Sequence, residues 1–173
     1  MNAKCVYLTE GICEQQLINA LKSEPARLIP GKIKVFNVVQ EELSKSQLVT
    51  FAPGSIVVFV FDTDVEVTEY LKKNIELVKK YCSRVKLVTL AQVLNLEDEL
   101  KRCTDVKRAQ DITKSKSVRD FKADFCKMKV IECRNVLERH KLDTAKLWTI
   151  KPKGAFGFVA QNGEVVKVVQ GKK

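Results

Sequence analysis

An α/β fold with a mostly parallel four-stranded sheet over residues 3–91 is what this sequence predicts, and three observations predict it. Six consecutive apolar residues, 56–61, follow Pro53-Gly54 and stop at Asp62. A short apolar run bounded by turn signals is the mark of a strand buried on both faces, as parallel strands are. Around it, β-like and helical segments alternate as β-α-β-α-β-α-β, the pattern of crossover connections in a parallel sheet. The third observation is chemical: Asp62-Thr63-Asp64 stands just past the end of the apolar run, where open α/β sheets place their ligands.

Taken in order, Lys4-Cys-Val-Tyr-Leu-Thr9 reads as the first strand, ending at Glu10-Gly11. Residues 14–22 place Leu17, Ile18 and Leu21 at helical spacing. Pro25 and Pro30-Gly31 break that helix, and residues 32–39 form a second strand. A short helix is expected over 41–51, then the central strand over 56–61. In residues 67–82 an apolar stripe of Val67, Tyr70, Leu71, Ile75 and Val78 runs between lysines and predicts a helix. Residues 84–90 make the fourth strand.

Past residue 91 the character changes, so the chain divides into an α/β domain, 1–91, and a basic helical extension, 92–173, ending in a β-hairpin. Helices are expected over 94–103, 106–112, 118–129 and 129–140, with Asn95 and Ser117 as N-caps. Asn162-Gly163 between two apolar-rich runs signals a hairpin over 154–169. Trp148 reads as core, and Phe156 and Phe158 as residues buried by the hairpin. His140, between Arg139 and Lys141, reads as a surface residue.

Charge is divided unequally. Residues 1–100 hold 12 Lys/Arg against 13 Asp/Glu, a net of −1; residues 101–173 hold 19 against 8, a net of +11. A basic half of this kind favours a polyanion, nucleic acid first and an anionic membrane surface second. Thr113-Lys-Ser-Lys-Ser-Val-Arg-Asp-Phe-Lys122 is its densest part, and Lys114, Lys116, Arg119 and Lys122 among hydroxyls suit phosphate contacts. An ordinary capped, solvent-facing helix has the same composition. No apolar run nears the roughly 18–20 residues that span a bilayer, and the N-terminus has no signal-peptide core. A cytoplasmic protein without a membrane partner is the expectation. The six cysteines include no Cys-x-x-Cys, which argues against a zinc site and for reduced, mostly buried thiols. Cys126 and Cys133, seven apart, share a helix face and read as packing.

The acids carry the chemistry. Carboxyl ends of parallel strands lie along one sheet edge, so Glu10 and Glu14, after the first strand, can meet Asp62 and Asp64, after the third. Alternate residues point the same way, which converges Asp62 and Asp64. Such carboxylates repel unless a cation lies among them, and oxygen donors without His or Cys select Mg²⁺ or Mn²⁺. Turn and helix-capping roles are the structural alternative for Asp62 and Asp64.

Glu10-Gly11 after a first strand, with Glu14 completing Glu-Gly-x-x-Glu, and Asp62-Thr-Asp64 after a third resemble the Toprim domain over about residues 3–91. The chain is too short for the extra domains of topoisomerases and primases, and looks more like the small or defence-associated Toprim nucleases of the OLD-type and RloB-like groups. It departs from their commonest pattern where Val65-Glu66 follows Asp64. The resemblance implies a metal-dependent nuclease cleaving DNA or RNA, with antiviral defence as one setting. Asp62 and Asp64 would hold Mg²⁺, Glu10 would bind metal or move protons, and Glu14 or Glu66 would serve a second metal. A lone nuclease domain would be toxic, so a regulating protein partner or larger assembly is expected with it. The alternative is a degenerate Toprim-like module that binds nucleic acid or a protein partner without cleaving. A haloacid-dehalogenase phosphatase also uses Asp-x-Asp, but on its first strand and before Gly-Thr, unlike this chain.

Overall fold

The computed structural model describes residues 4–168. Its centre is a four-stranded, all-parallel sheet of β1 (Cys5–Thr9), β2 (Gly31–Val35), β3 (Ile56–Asp62) and β4 (Lys86–Gln92) in the order β2-β1-β3-β4. The chain steps outward from β1 to β2, returns to β3 and steps outward the other way to β4. The order therefore reverses between β1 and β3, and at such a switch point the crossover connections leave a crevice at the carboxyl ends. Glu10 and Asp62 are at those two ends.

Strand alternation sorts the core into two layers. Ile56, Val58 and Val60 face one side, where they join Tyr7, Val88, Leu90 and α1 (Ile12–Lys22). Val57, Phe59 and Phe61 face the other, with Leu8, Leu71 and Val78. Leu71 and Val78 come from α3 (Glu69–Tyr81). The short α2 (Lys45–Leu48), closed by a capping box at Ser44 and Gln47, contributes Leu48 to the same layer. Residues 36–44, expected as strand and helix, are irregular apart from a turn at 38–40. Asn74 holds them: fully buried, it accepts from Leu43 N–H at 2.8 Å and donates to the Val38 and Glu41 carbonyls at 2.9 and 2.7 Å. Asn74→Ala would orphan one donor and two acceptors, so we expect it to cost about 2 kcal/mol in a urea melt with the m-value unchanged.

Among the described residues, the basic half adds no separate core. Helices α4 (Leu96–Cys103), α5 (Val118–Lys127) and α6 (Val130–Arg139) pack on the α1 side of the sheet. Leu96, Leu100, Phe121, Phe125, Cys133, Val136 and Trp148 belong to the same cluster as Tyr7 and Leu17. Asn95 and Ser117 cap α4 and α5 as expected, accepting from Asp98 and Asp120 N–H. Residues 106–112 are mostly irregular, with one 3-10 turn at Ala109–Asp111.

The terminal hairpin does not form within the described residues; Val169 lies outside them. Residues 154–156 and 163–166 are 3-10 turns. Between them the chain covers the free edge of β4 with side chains. Asn162 Oδ1 accepts from Thr89 N–H, and the Gln161 amide both accepts from and donates to Ala91. An Asn-Gly pair whose Asn is taken by a neighbouring strand edge is not free to close a two-residue turn. Phe156 is buried against Phe61, but Phe158 is 44% exposed beneath the Lys72 ammonium. Among the described residues no helix is long and apolar enough to cross a membrane.

Candidate functional site

A cleft of about 310 Å³ opens at the switch point, lined by residues 10–14, Asp62, Leu96, Glu97 and Lys122. Its floor is set by backbone. Glu10 N–H donates to the Val60 carbonyl, extending β1 by one residue, and Asp62 N–H donates to Glu10 Oε2 at 2.9 Å. The carboxylate after the first strand is thus bound to the backbone of the residue that ends the third. Gly11 then opens α1, and Glu14 folds back over it. Backbone N–H groups of Gly11 and of Glu14 itself stabilise the Glu14 carboxylate, as an acid three residues past an N-cap does. A Cβ on Gly11 would come within 2.9 Å of Glu14 Oε2, so a larger residue there would make the Glu14 carboxylate shift.

The electrostatics are those of crowded acids. Burial, then Glu14, Glu10, Asp64 and Glu97, push the Asp62 carboxyl up to about 9. Burial also raises Glu14, with Glu10 and Glu97 adding to it and the backbone N–H groups opposing. One cation answers them. Lys122 Nζ lies 3.0 Å from Glu97 Oε1, and that ion pair, with Asp62 and Glu14 nearby, raises the lysine against the opposing effect of burial.

Of the acids expected at the site, the structure brings together Glu10, Glu14 and Asp62. Asp64 and Glu66 stand exposed on the loop after β3 and do not line the cleft. The reason is that β3 ends at Asp62. Thr63 N–H donates to the Leu94 carbonyl and its hydroxyl to the Gln92 carbonyl, which turns the chain before alternation can aim Asp64 beside Asp62. Among the described residues, no three His, Cys, Asp or Glu side chains are gathered closely enough to hold a metal ion. Oxygen donors without nitrogen or sulfur are the ligand type that a hard divalent cation takes. Every cleft carboxylate offers oxygen, and the buried Asp62 Oδ1 has no hydrogen-bond partner among the described residues.

Three site residues went unanticipated. Glu97, on the first turn of α4, is buried and completes the acidic wall; its triplet Glu97-Asp98-Glu99 reads in sequence as ordinary N-terminal helix charge. Gln92 is the register partner of Asp62 on β4, and Thr9 ends β1. Both are fully buried, and the Gln92 amide and Thr9 hydroxyl have no partners among the described residues. By alternation Thr9, Asp62 and Gln92 face the same side of the sheet. Unpaired buried polar groups are costly, and these are aligned along the sheet edge beside Asp62. Lys114, Lys116 and Arg119 remain exposed at the start of α5. Arg119 is one turn before Lys122 on the same face, so the basic segment leads to the rim of the cleft.

The thiols depart from expectation. Cys13, in the cleft, is joined to Cys126 of α5 by a disulfide; Cys5, Cys82, Cys103 and Cys133 are free. His140 is half-buried with Nδ1 3.3 Å from Asp105. Compared with protein-family models, curated proteins and solved structures, the chain matches none.

Proposed function

We propose that the chain is a Toprim-type, divalent-cation-dependent phosphodiesterase acting on nucleic acid. The observation that carries this reading is the position of Glu10 and Asp62 at the carboxyl ends of the two strands flanking the switch point, with an unpartnered Asp62 oxygen between further buried acids. Glu10, Glu14, Asp62 and Glu97 would hold Mg²⁺ or Mn²⁺. When bound, the cation supplies charge neutralisation at a phosphate and a more acidic water. The chain's own residues do the rest. Asp62 N–H fixes the Glu10 carboxylate, and Glu14, raised above the ordinary carboxylate range by burial, is an acid that holds its proton more tightly than an exposed glutamate. Lys114, Lys116 and Arg119 would hold the nucleic-acid backbone beside the cleft.

A second reading has its own support. The Lys122 ammonium already pairs with Glu97, and the carboxylates are not drawn into a three-donor group. A module that binds nucleic acid and cleaves nothing would look like this. A fluorescently labelled duplex and single strand, incubated with the protein and Mn²⁺ or EDTA, separates the two. Cleavage with Mn²⁺ alone supports the first reading; binding without cleavage under any cation supports the second.

Salt dependence checks the basic segment. Each phosphate contact contributes about 0.9 to the slope of log K against log salt on duplex DNA. Combined replacement of Lys114, Lys116 and Arg119 by alanine should flatten the slope by about 2–3 units in fluorescence anisotropy. Lys122→Ala alone should leave the slope nearly unchanged, since its ammonium is engaged with Glu97. An unaltered slope in the triple variant would assign these cations to another purpose.

A further inference from the structure

The cleft carries a second chemistry in the Cys13–Cys126 pair. Cys13 is in the first turn of α1 and lines the cleft; Cys126 is in the last turn of α5. Their Cα atoms are 5.2 Å apart, well inside the range that a disulfide spans, and both residues are partly exposed. Lys122 precedes Cys126 by one helical turn, on the same face. The Cys13 sulfur also lies 3.6 Å from the Lys122 carbonyl oxygen. The bond therefore ties the turn of α5 that presents Lys122 to the turn of α1 that presents Glu14. It is not the sole contact that docks α5, since Phe121 and Phe125 of the same helix are fully buried in the core.

We propose that Cys13–Cys126 is a reversible thiol–disulfide modification site that controls cation access to the acidic cleft. The proposal rests on the cation-binding reading above. In the disulfide form α5 is held against α1 and the Lys122 ammonium stays over Glu97, in competition with a divalent cation. In the dithiol form α5 keeps its Phe121 and Phe125 contacts but is no longer tethered to the first turn of α1, and the Lys122 ammonium, on a side chain already 57% exposed, can withdraw into solvent. The co-reactant is a small-molecule disulfide of the glutathione type. The Cys13 sulfur, losing its proton, attacks one sulfur of that disulfide and expels the first thiolate. The Cys126 sulfur then attacks Cys13 and expels the second. Two protein thiols are oxidised by two electrons, one small disulfide is reduced to two thiols, and the two protons pass to those thiols.

The test uses the full chain equilibrated with oxidised glutathione or with dithiothreitol. Peptide mapping after oxidation should yield a Cys13–Cys126 cross-link with the other four cysteines still alkylatable. The bond joins residues 113 apart, so reduction should lower the melting temperature by about 5–15 °C while the chain stays folded at 25 °C. In calorimetric titration Mn²⁺ should bind the reduced form about 5–10-fold more tightly than the oxidised form. A Cys13→Ser/Cys126→Ser variant should bind like the reduced form under both conditions, and Lys122→Met should lose the redox difference. Failure to form the cross-link would overturn the proposal. So would equal, measurable Mn²⁺ affinity in the two forms, or tighter binding by the disulfide form, and in either case the cation reading stands. Mn²⁺ binding in neither form, nor in Lys122→Met, would remove the cation reading and the coupling together.

Discussion

Asp62→Ala should reduce divalent-cation-dependent phosphodiester cleavage by about a thousandfold while leaving nucleic-acid affinity within about twofold of wild type. The size follows from what the residue supplies: an oxygen donor at the one point where charge must be offset in a buried cleft, and losses of preorganised charge stabilisation run to about 10²–10³. Affinity survives because the exposed cations of α5 are on other residues. Glu10→Ala should be as damaging for an additional reason, since it removes the acceptor of the Asp62 N–H and frees the end of β3. Asp64→Ala should cost less than about tenfold, because that side chain stands on the exposed loop. Stability separates a metal site from a structural one. Removing one of several mutually repelling acids should hold or raise the apo melting temperature and diminish its rise with Mg²⁺. A structural capping acid behaves oppositely, costing about 0.5–2 kcal/mol when replaced by alanine. A wild-type melting temperature unmoved by Mg²⁺ or Mn²⁺, with a destabilised Asp62→Ala, would leave the chain as a binding module.

What could be read from the sequence was whatever is encoded locally. The residue 56–61 run announces β3 because strands buried on both faces cannot alternate, and Asn95 and Ser117 announce their helices because caps act within three residues. Glu10 and Asp62 could be paired before any coordinates, since parallel strands bring their carboxyl ends to one edge. Glu97 and Gln92 could not. They reach the cleft only because α4 and β4 pack where they do, and nothing local separates Glu97 from the helix-stabilising acids beside it. Asp64 failed for the converse reason: alternation was carried one step past the true strand end. The Asn162-Gly163 turn and the free thiol of Cys13 failed as well, each overruled by a partner 73 or 113 residues away. The residues that define the cleft most sharply are thus the ones that depend most on tertiary contact.

Asp62→Asn should flatten the pH dependence of stability between about pH 4 and 9. The Asp62 carboxyl is raised to about 9 in the folded chain, chiefly by burial and then by Glu14 and Glu10, whereas in the unfolded chain it titrates near 3.9. Between these values the folded state holds a proton that the unfolded state has released. The Asp62 contribution to stability is therefore fully present below about pH 4 and is lost as pH rises towards 9, at up to about 1.4 kcal/mol per pH unit. Asparagine keeps the shape and cannot ionise, so the variant should gain on wild type steadily across that window and by no more above it. A divalent cation reverses the wild-type trend. Because it must displace the Asp62 proton, its apparent affinity should rise up to about tenfold per pH unit below 9, and binding should release protons to the buffer. Urea melts at five pH values, with and without Mn²⁺, read both effects. Parallel pH profiles for wild type and Asp62→Asn would mean that Asp62 is already ionised in the folded chain, and the crowded-acid account of the cleft would fall with it.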